Sequence, residues 1–487
     1  MIKQWIAACQ TRPKLVLAVC ALLLAVQVGP WWYSSIDSAS YLSMARSLSR
    51  GTGPTNLGSP LLWYSPGYPA AIGPLFLLSD RPFFEIAIFH WLLAVGLLLG
   101  VYRWSRQVAP EAAVWMASLT VVNHGFWIHF RRPLSEMAFM CLLVWVVNCL
   151  QGVGNVRRAA QLAGRLAAAA GLTALLCVVR PVGVMLVPAV AVWAFLEIFA
   201  GERQGQRRWS WSKSAVTTAV IAASAGIPVG LFVLHERVLV AEMGGRSYLD
   251  EFDSAARSPL ESYSRGAQLC VSDVGRVCIP GLFKSHGTPG DWTDVNMLIH
   301  VPFFVLVCYG WSRWVRRQND LFAWYAPFYL LLITAHAMDT GARLLLPVLP
   351  ALFVSLWFAA ERIGDRRQYV VAACLSLQLV VAGSYWLGVD LPRARRYDRL
   401  WPAVDELAVR IMSEPGPVAA SRLDGDVQLM LEVALDRPVS WSEDRLKTAR
   451  WCVTGRGANG PEGFVTVYAA EDLVLWSSHL AGDFAAR

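Results

Sequence analysis

Asp37 follows the first apolar stretch of the chain, in Trp31-Trp32-Tyr33-Ser34-Ser35-Ile36-Asp37-Ser38, and a carboxylate at that place needs a reason. It could cap a helix, a role worth about 1 kcal/mol, or it could do proton chemistry. Arginines recur at the ends of other apolar stretches. Arg131 and Arg132 stand in His129-Phe130-Arg131-Arg132-Pro133-Leu134-Ser135-Glu136, Arg180 precedes Pro181, and Arg343 precedes Leu344-Leu345-Leu346-Pro347. A guanidinium offers phosphate a planar fork of donors, and charges near bilayer depth face protein or a cavity. Structural pairing is the alternative for each: Arg343 with Asp339 four residues earlier, and the double arginine with Glu136 or lipid headgroups. Glu136 sits where a helix dipole favours an anion, which makes charge complementarity as good a reading as substrate or metal binding.

The elements that must position these groups are mostly apolar. Hydrophobic residues make up 55% of the chain and charged residues 16%, with a mean hydropathy of +0.42. This is the composition of an integral membrane protein. Eleven windows are long enough to cross a bilayer, near 15–30, 83–102, 111–130, 134–151, 166–180, 181–199, 214–234, 297–312, 320–338, 344–360 and 369–387. Alternate connections carry the basic residues, among them Arg103, Arg106, Arg157, Arg158, Arg207, Arg208, Arg316, Arg317, Arg366 and Arg367. Basic residues stay on the cytoplasmic side, so the N-terminus is expected there, as an uncleaved first helix. The segments 31–82 and 235–296 and the tail then face outward. The net charge of +8 fits anchoring beside anionic lipid, and no basic patch interleaved with aromatics suggests nucleic acid as a partner.

Residues 36–49 are predicted to be a helix lying in the membrane interface, with Tyr41, Met44, Ala45 and Leu48 on one face. Trp31 and Trp32 are expected at the outer interface. In Trp63-Tyr64-Ser65-Pro66-Gly67-Tyr68-Pro69, two prolines and a glycine fix an extended turn that can pack over a cleft. Ten cysteines show no metal spacing. Cys270 and Cys278 fall in the outward 235–296 loop, where an oxidising compartment would let them close a disulfide. From about residue 391 the pattern changes to helix 401–412, strand 417–421, helix 426–435, strand 438–441, and strands near 451–454 and 464–468. The domain organisation is therefore an all-α polytopic membrane domain over 1–390 and a small extracytoplasmic α/β domain over 391–487.

Taken in order, Asp37-x3-Tyr41-x3-Ala45-x2-Leu48, Ser65-Pro66-Gly67-Tyr68-Pro69, Pro133-Leu134-Ser135-Glu136, Arg180-Pro181-x-Gly183 and Arg343-x3-Pro347-x2-Pro350 resemble the GT-C glycosyltransferases. The relatives in mind are protein O-mannosyltransferase-like enzymes and the transferases that decorate lipid A or lipopolysaccharide cores. The resemblance covers about 31–360. It implies a polyprenyl-phosphate sugar donor, an acceptor (lipid, glycan or protein) reached from outside the plasma membrane, and Asp37 as the general base of an inverting transfer. Arg131, Arg132, Arg180, Arg343 and Glu136, with Tyr41, Tyr64 and Tyr68, are the implied substrate-binding set. Some members use a divalent metal, for which Asp37 and Glu136 could supply hard oxygen ligands. Many protein mannosyltransferases carry an acidic pair where this chain has Asp37-Ser38, which weakens the case for protein as acceptor. A transporter is the main rival, although no duplicated halves are visible. A polysaccharide polymerase or ligase, or a scaffold in which Asp37 only caps its helix, completes the alternatives.

Overall fold

The computed structural model describes residues 9–55, 57, 59, 64–151, 153, 156, 158–200, 209–243, 259–279, 297–336, 341–364, 366–413, 417–421, 425–437, 439, 449–455, 458, 461, 464–470 and 473–477. Each of the eleven apolar windows contains a helix. Among the described residues, seven helical runs are long and apolar enough to cross a membrane, and five shorter apolar helices accompany them, including Pro13–Ala25, Glu136–Gln151 and Leu321–Ala335. The 111–130 window is broken at Asn123, whose side chain caps the helix His124–Phe130 by accepting from Phe126 N at 3.2 Å. The chain forms two compact units.

The first unit, Met1–Val28, Ala87–Arg131 and Ser135–Tyr385, holds most of the membrane helices. Its core is aromatic: Trp104, Trp115, Trp193, Trp314, Phe126, Phe139, Phe322, Tyr325 and Tyr329 are fully buried. Small residues bring helices together where side chains would hold them apart. A Cβ on Gly310 would lie 1.8 Å from the Ser355 carbonyl oxygen, so helix Met297–Arg317 can approach helix Leu349–Ala359 only through a glycine.

Part of the 235–296 segment differs from expectation. Pro259–Cys278 is an amphipathic helix whose C-terminal half is buried, including Gln268, Cys270, Asp273, Val274, Val277 and Cys278. Cys270 and Cys278 are free thiols, and eight helical steps separate them by about 12 Å along the axis, well beyond the reach of a disulfide. The expected bridge is therefore ruled out by the helix itself. Two amides from other helices satisfy the last carbonyls of this helix: Asn123 Nδ2 donates to Val277 O at 2.6 Å, and Gln378 Nε2 donates to Cys278 O at 3.0 Å. The Gln378 oxygen in turn accepts from His124 N at 3.0 Å.

The second unit, Gly29–Ile86, Arg132–Leu134 and Trp386–Arg487, joins the first long inter-helix segment to the C-terminal region. Helix Leu391–Ser413 leads to a four-stranded sheet of β1 Val418–Ser421, β2 Trp451–Gly455, β3 Val465–Ala470 and β4 Leu473–Ser477, in the order β1-β2-β4-β3. The β1–β2 pair is parallel, and the others are antiparallel. Helix Gly425–Leu435 provides the crossover between β1 and β2 that a parallel pair requires. The expected strand 438–441 lies outside the described residues, apart from Val439.

Helix Ile36–Ser49 belongs to this unit and is not an interfacial helix with a wet polar face. Ser38, Ser40, Ser43 and Ser47 are buried along with Tyr41, Met44 and Ala45. Ser38, Ser43 and Ser47 are hydrogen-bonded, as burial demands. Ser43 Oγ donates to Asp436 Oδ1 at 2.5 Å, and Arg46 Nη1 donates to Val433 O at 2.5 Å, which docks the helix on the end of Gly425–Leu435. Trp32 is likewise buried, at 6.1 Å between ring centroids from Phe83 and 5.7 Å from Trp401. It serves as core of this unit rather than as an interface anchor.

Candidate functional site

Ser35 settles what Asp37 is not. The Ser35 side chain accepts from Ser38 N at 3.2 Å, and Ser38 Oγ accepts from Ser35 N at 2.8 Å, a complete capping box. The cap expected of Asp37 is thus supplied two residues earlier. Asp37 stands in the first turn, half-buried, where the helix dipole favours its charge. Tyr64 Oη donates to Asp37 Oδ1 at 2.7 Å. Tyr64 is itself propped by Tyr41, at 5.0 Å between ring centroids, and Tyr41 packs edge-on against Tyr68 at 5.2 Å. Tyr41 and Tyr68 are buried, so their rings hold Tyr64 in place. The Pro66-Gly67 turn continues into helix Gly67–Ile72, which carries Tyr68. Trp63 lies outside the described residues. One Asp37 oxygen is therefore fixed by a phenol.

A second cluster lies in the first unit. Glu136 opens helix Glu136–Gln151 and is fully buried. Arg180 Nη1 reaches its Oε1 at 3.0 Å, and Arg343 Nε pairs with the same oxygen. Local chain geometry aims both arginines. Arg180 ends helix Ala159–Val179 in an extended conformation, φ −151° and ψ 122°, as a residue before proline prefers. Arg343 lies in the 3₁₀ run Gly341–Val348 that leads into helix Leu349–Ala359. Asp339, the expected partner of Arg343, lies outside the described residues, and the partner seen is Glu136. The Arg180 and Arg343 side chains are partly exposed, at 17% and 18%, against 0% for Glu136.

The two neighbouring arginines separate. Arg131 is buried and donates to Gln27 Oε1 at 3.4 Å within the first unit. Arg132 lines a pocket in the second unit with Asp390 and Arg393. Glu136 pairs with two guanidiniums, Asp37 accepts a hydrogen bond from Tyr64, and among the described residues there is no group of three His, Cys, Asp or Glu side chains placed to hold a metal. No step is assigned to a metal. Sequence reasoning missed Ser35, Asp390, Arg393 and Asp426. The spacing Asp390, Arg393, Ala394, Tyr397, one stripe of a helix just after the last apolar window, was the signal available for two of them.

This architecture is the fold of the GT-C membrane glycosyltransferases. The chain is similar to ArnT from Cupriavidus metallidurans bound to undecaprenyl phosphate, with a TM-score of 0.56 at 12% identity, over 95% of this chain and 97% of that one. The apo state of the same protein gives 0.57 at 13% identity over 97% and 98%. The archaeal oligosaccharyltransferase AglB from Archaeoglobus fulgidus, in complex with an inhibitory peptide and a dolichol-phosphate, gives 0.52 at 14% identity, over 91% of this chain and 69% of that one. No protein-family model and no curated protein matches the sequence.

Proposed function

We propose that the protein is an integral membrane glycosyltransferase that moves a sugar from a polyprenyl-phosphate donor to an extracytoplasmic acceptor. The observation that carries this reading is the end-to-end likeness of fold to a protein solved with undecaprenyl phosphate bound. The proposed orientation in the plasma membrane puts the N-terminus in the cytoplasm and the C-terminal domain outside, following the distribution of arginines.

In the proposed mechanism Asp37 takes the proton from an acceptor hydroxyl as that oxygen attacks the anomeric carbon. The bond between that carbon and the lipid phosphate oxygen breaks, the phosphate departs with the electron pair, and configuration inverts. Tyr64 fixes the carboxylate through Oδ1. Arg180 and Arg343 are assigned to the donor phosphate, because preplaced guanidiniums stabilise the charge that grows on the leaving group without reorganising. Glu136 is assigned to hold them.

The test is Asp37→Asn, purified at normal abundance and compared with wild type in transfer from a polyprenyl-phosphate sugar, with products read by mass spectrometry of outer-surface lipids and proteins. General-base loss lowers turnover by about 100- to 10,000-fold and leaves the KM for donor close to wild type. Transfer at the wild-type rate by this variant would refute the assignment.

A further inference from the structure

Helix Leu391–Ser413 opens with Leu391-Pro392-Arg393-Ala394-Arg395-Arg396-Tyr397-Asp398-Arg399, four arginines against one acid. We propose that its arginine face, Arg395, Arg396 and Arg399, docks on the anionic lipid headgroups of the leaflet at which the helix begins.

The amphipathic pattern decides which side of the helix is open. Ala394, Tyr397, Leu400, Trp401, Val404 and Leu407 are buried, at the three- and four-residue steps of one helix face. Arg395, Arg396 and Arg399 are exposed, and the same steps put Arg399 beside both of the others. Arg393 is engaged by Asp426, which accepts from its Nε at 2.6 Å, and does not belong to the set. Arg395 lays its guanidinium over the Trp31 ring at 5.3 Å, and Arg399 Nε donates to the Arg395 carbonyl at 3.5 Å. Each contact uses part of a group that carries five N–H donors. Among the described residues, none of the three arginines forms an ion pair.

The surroundings bring this face to a membrane surface. Leu387 and Val389, just before the helix, are apolar and exposed, as lipid-facing residues are. Further along, Trp401 packs on Phe83 at 5.8 Å between ring centroids. Phe83 is the first residue of the membrane-length apolar helix Phe83–Val108, and its neighbour Phe84 is exposed. A helix leaving the bilayer along its normal would lift Trp401 about 18 Å above Val389, away from the start of any span. Apolar levels at both ends therefore lay this stretch along the surface, at the depth of the headgroups. There the arginines stand within a Debye length, about 8 Å, of lipid phosphates, whose oxygens match the planar fork of a guanidinium. In the proposed orientation this is the outer side, so the cluster opposes the trend that gathers basic residues in the cytoplasm and calls for an anion of its own. A soluble polyanion would need the same face turned away from the bilayer. Each arginine at an anionic surface contributes about fivefold to lipid affinity.

The experiment reconstitutes the full chain in nanodiscs of equal parts phosphatidylcholine and phosphatidylglycerol. A trace of one lipid or the other carries a diazirine in its headgroup, and cross-links are mapped by mass spectrometry on chymotryptic peptides. The phosphatidylglycerol probe is expected to label residues 391–400 well above the phosphatidylcholine probe, and added salt to narrow the difference. Arg395→Gln, Arg396→Gln and Arg399→Gln combined should bring the two probes level, whereas Lys at all three positions should keep most of the preference. Both triple variants alter exposed side chains and should keep the wild-type thermal midpoint. Equal labelling by the two probes in the wild type, or a preference that survives in the Gln variant, overturns the proposal. Labelling displaced by inorganic phosphate or by a short oligonucleotide at matched ionic strength also overturns it, since the face would then serve a soluble anion.

Discussion

Replacing Glu136 by Gln removes one negative charge from a fully buried site and leaves the guanidiniums of Arg180 and Arg343 facing an amide. At the 3.0 Å separation from Arg180 and an effective dielectric of about 20, one unit-charge pair is worth roughly 5 kcal/mol before desolvation. Desolvation cancels much of that in the intact pair, but it is not recovered when one partner goes, and breaking a buried pair costs about 3–5 kcal/mol. Glu136→Gln is therefore expected to destabilise the first unit by an amount in that range. The protein supplies its own reporters, because Cys177 and Cys278 are buried and react with a thiol-directed dye only on unfolding. The dye should report a lower thermal midpoint for Glu136→Gln. Glu136→Gln combined with Arg180→Gln should recover part of the loss, since the stranded cation is removed with its partner. Donor binding should weaken in the single variant as the arginines lose their common anchor. A single variant with wild-type midpoint and wild-type donor affinity would show that the shared carboxylate does not organise the cluster.

Tyr64→Phe deletes the phenol that donates to Asp37 and keeps the ring against Tyr41; kcat should fall about tenfold or more, for the loss of roughly 1.5–3 kcal/mol of hydrogen bonding to a charged group, with donor KM unchanged. An unaltered kcat would remove the positioning role of this tyrosine. Gly310→Ala drives a methyl into the Ser355 carbonyl and should cost about 1–3 kcal/mol through forced separation of two helices, read as a lower thermal midpoint; an unchanged midpoint would mean the helices part freely. Cys270 and Cys278 should resist alkylation in the native protein and accept it after denaturation without reductant, because both are free and buried. Protection that persists in unreduced denatured protein would restore the disulfide.

Much of the membrane architecture could be read from hydropathy, because a helix that crosses lipid must satisfy its backbone internally and show lipid an apolar surface over its whole length. The element order around β1, helix Gly425–Leu435, β2 and β3 was legible for a related reason, alternation of apolar runs with polar breaks. Helix Pro259–Cys278 escaped because its sequence mixes Glu261, Arg265 and Arg276 with serines and glycines, which reads as loop. The capping role of Ser35 escaped because Asp37 is the residue one first looks to for a cap, and only geometry distinguishes two cap-forming side chains that lie two residues apart. Long-range pairing was invisible: Glu136 lies 44 positions from Arg180 and 207 from Arg343, and no local rule joins them. The position of the 29–86 segment in one unit with 386–487 has the same origin, since Ser43 with Asp436 and Arg46 with Val433 bridge almost four hundred residues.

The amides of Asn123 and Gln378 that close the end of helix Pro259–Cys278 come from stretches of chain made before and after it. The Cys278 carbonyl at the end of that helix has no side-chain donor of this kind until the segment carrying Gln378 has been synthesised, about a hundred residues later. This last hydrogen bond of the terminus therefore forms only once the helix Arg366–Tyr385 has been made. A chain cut before Gln378 would leave the Cys278 carbonyl without its donor, a defect that membrane quality control could read as an unfinished protein.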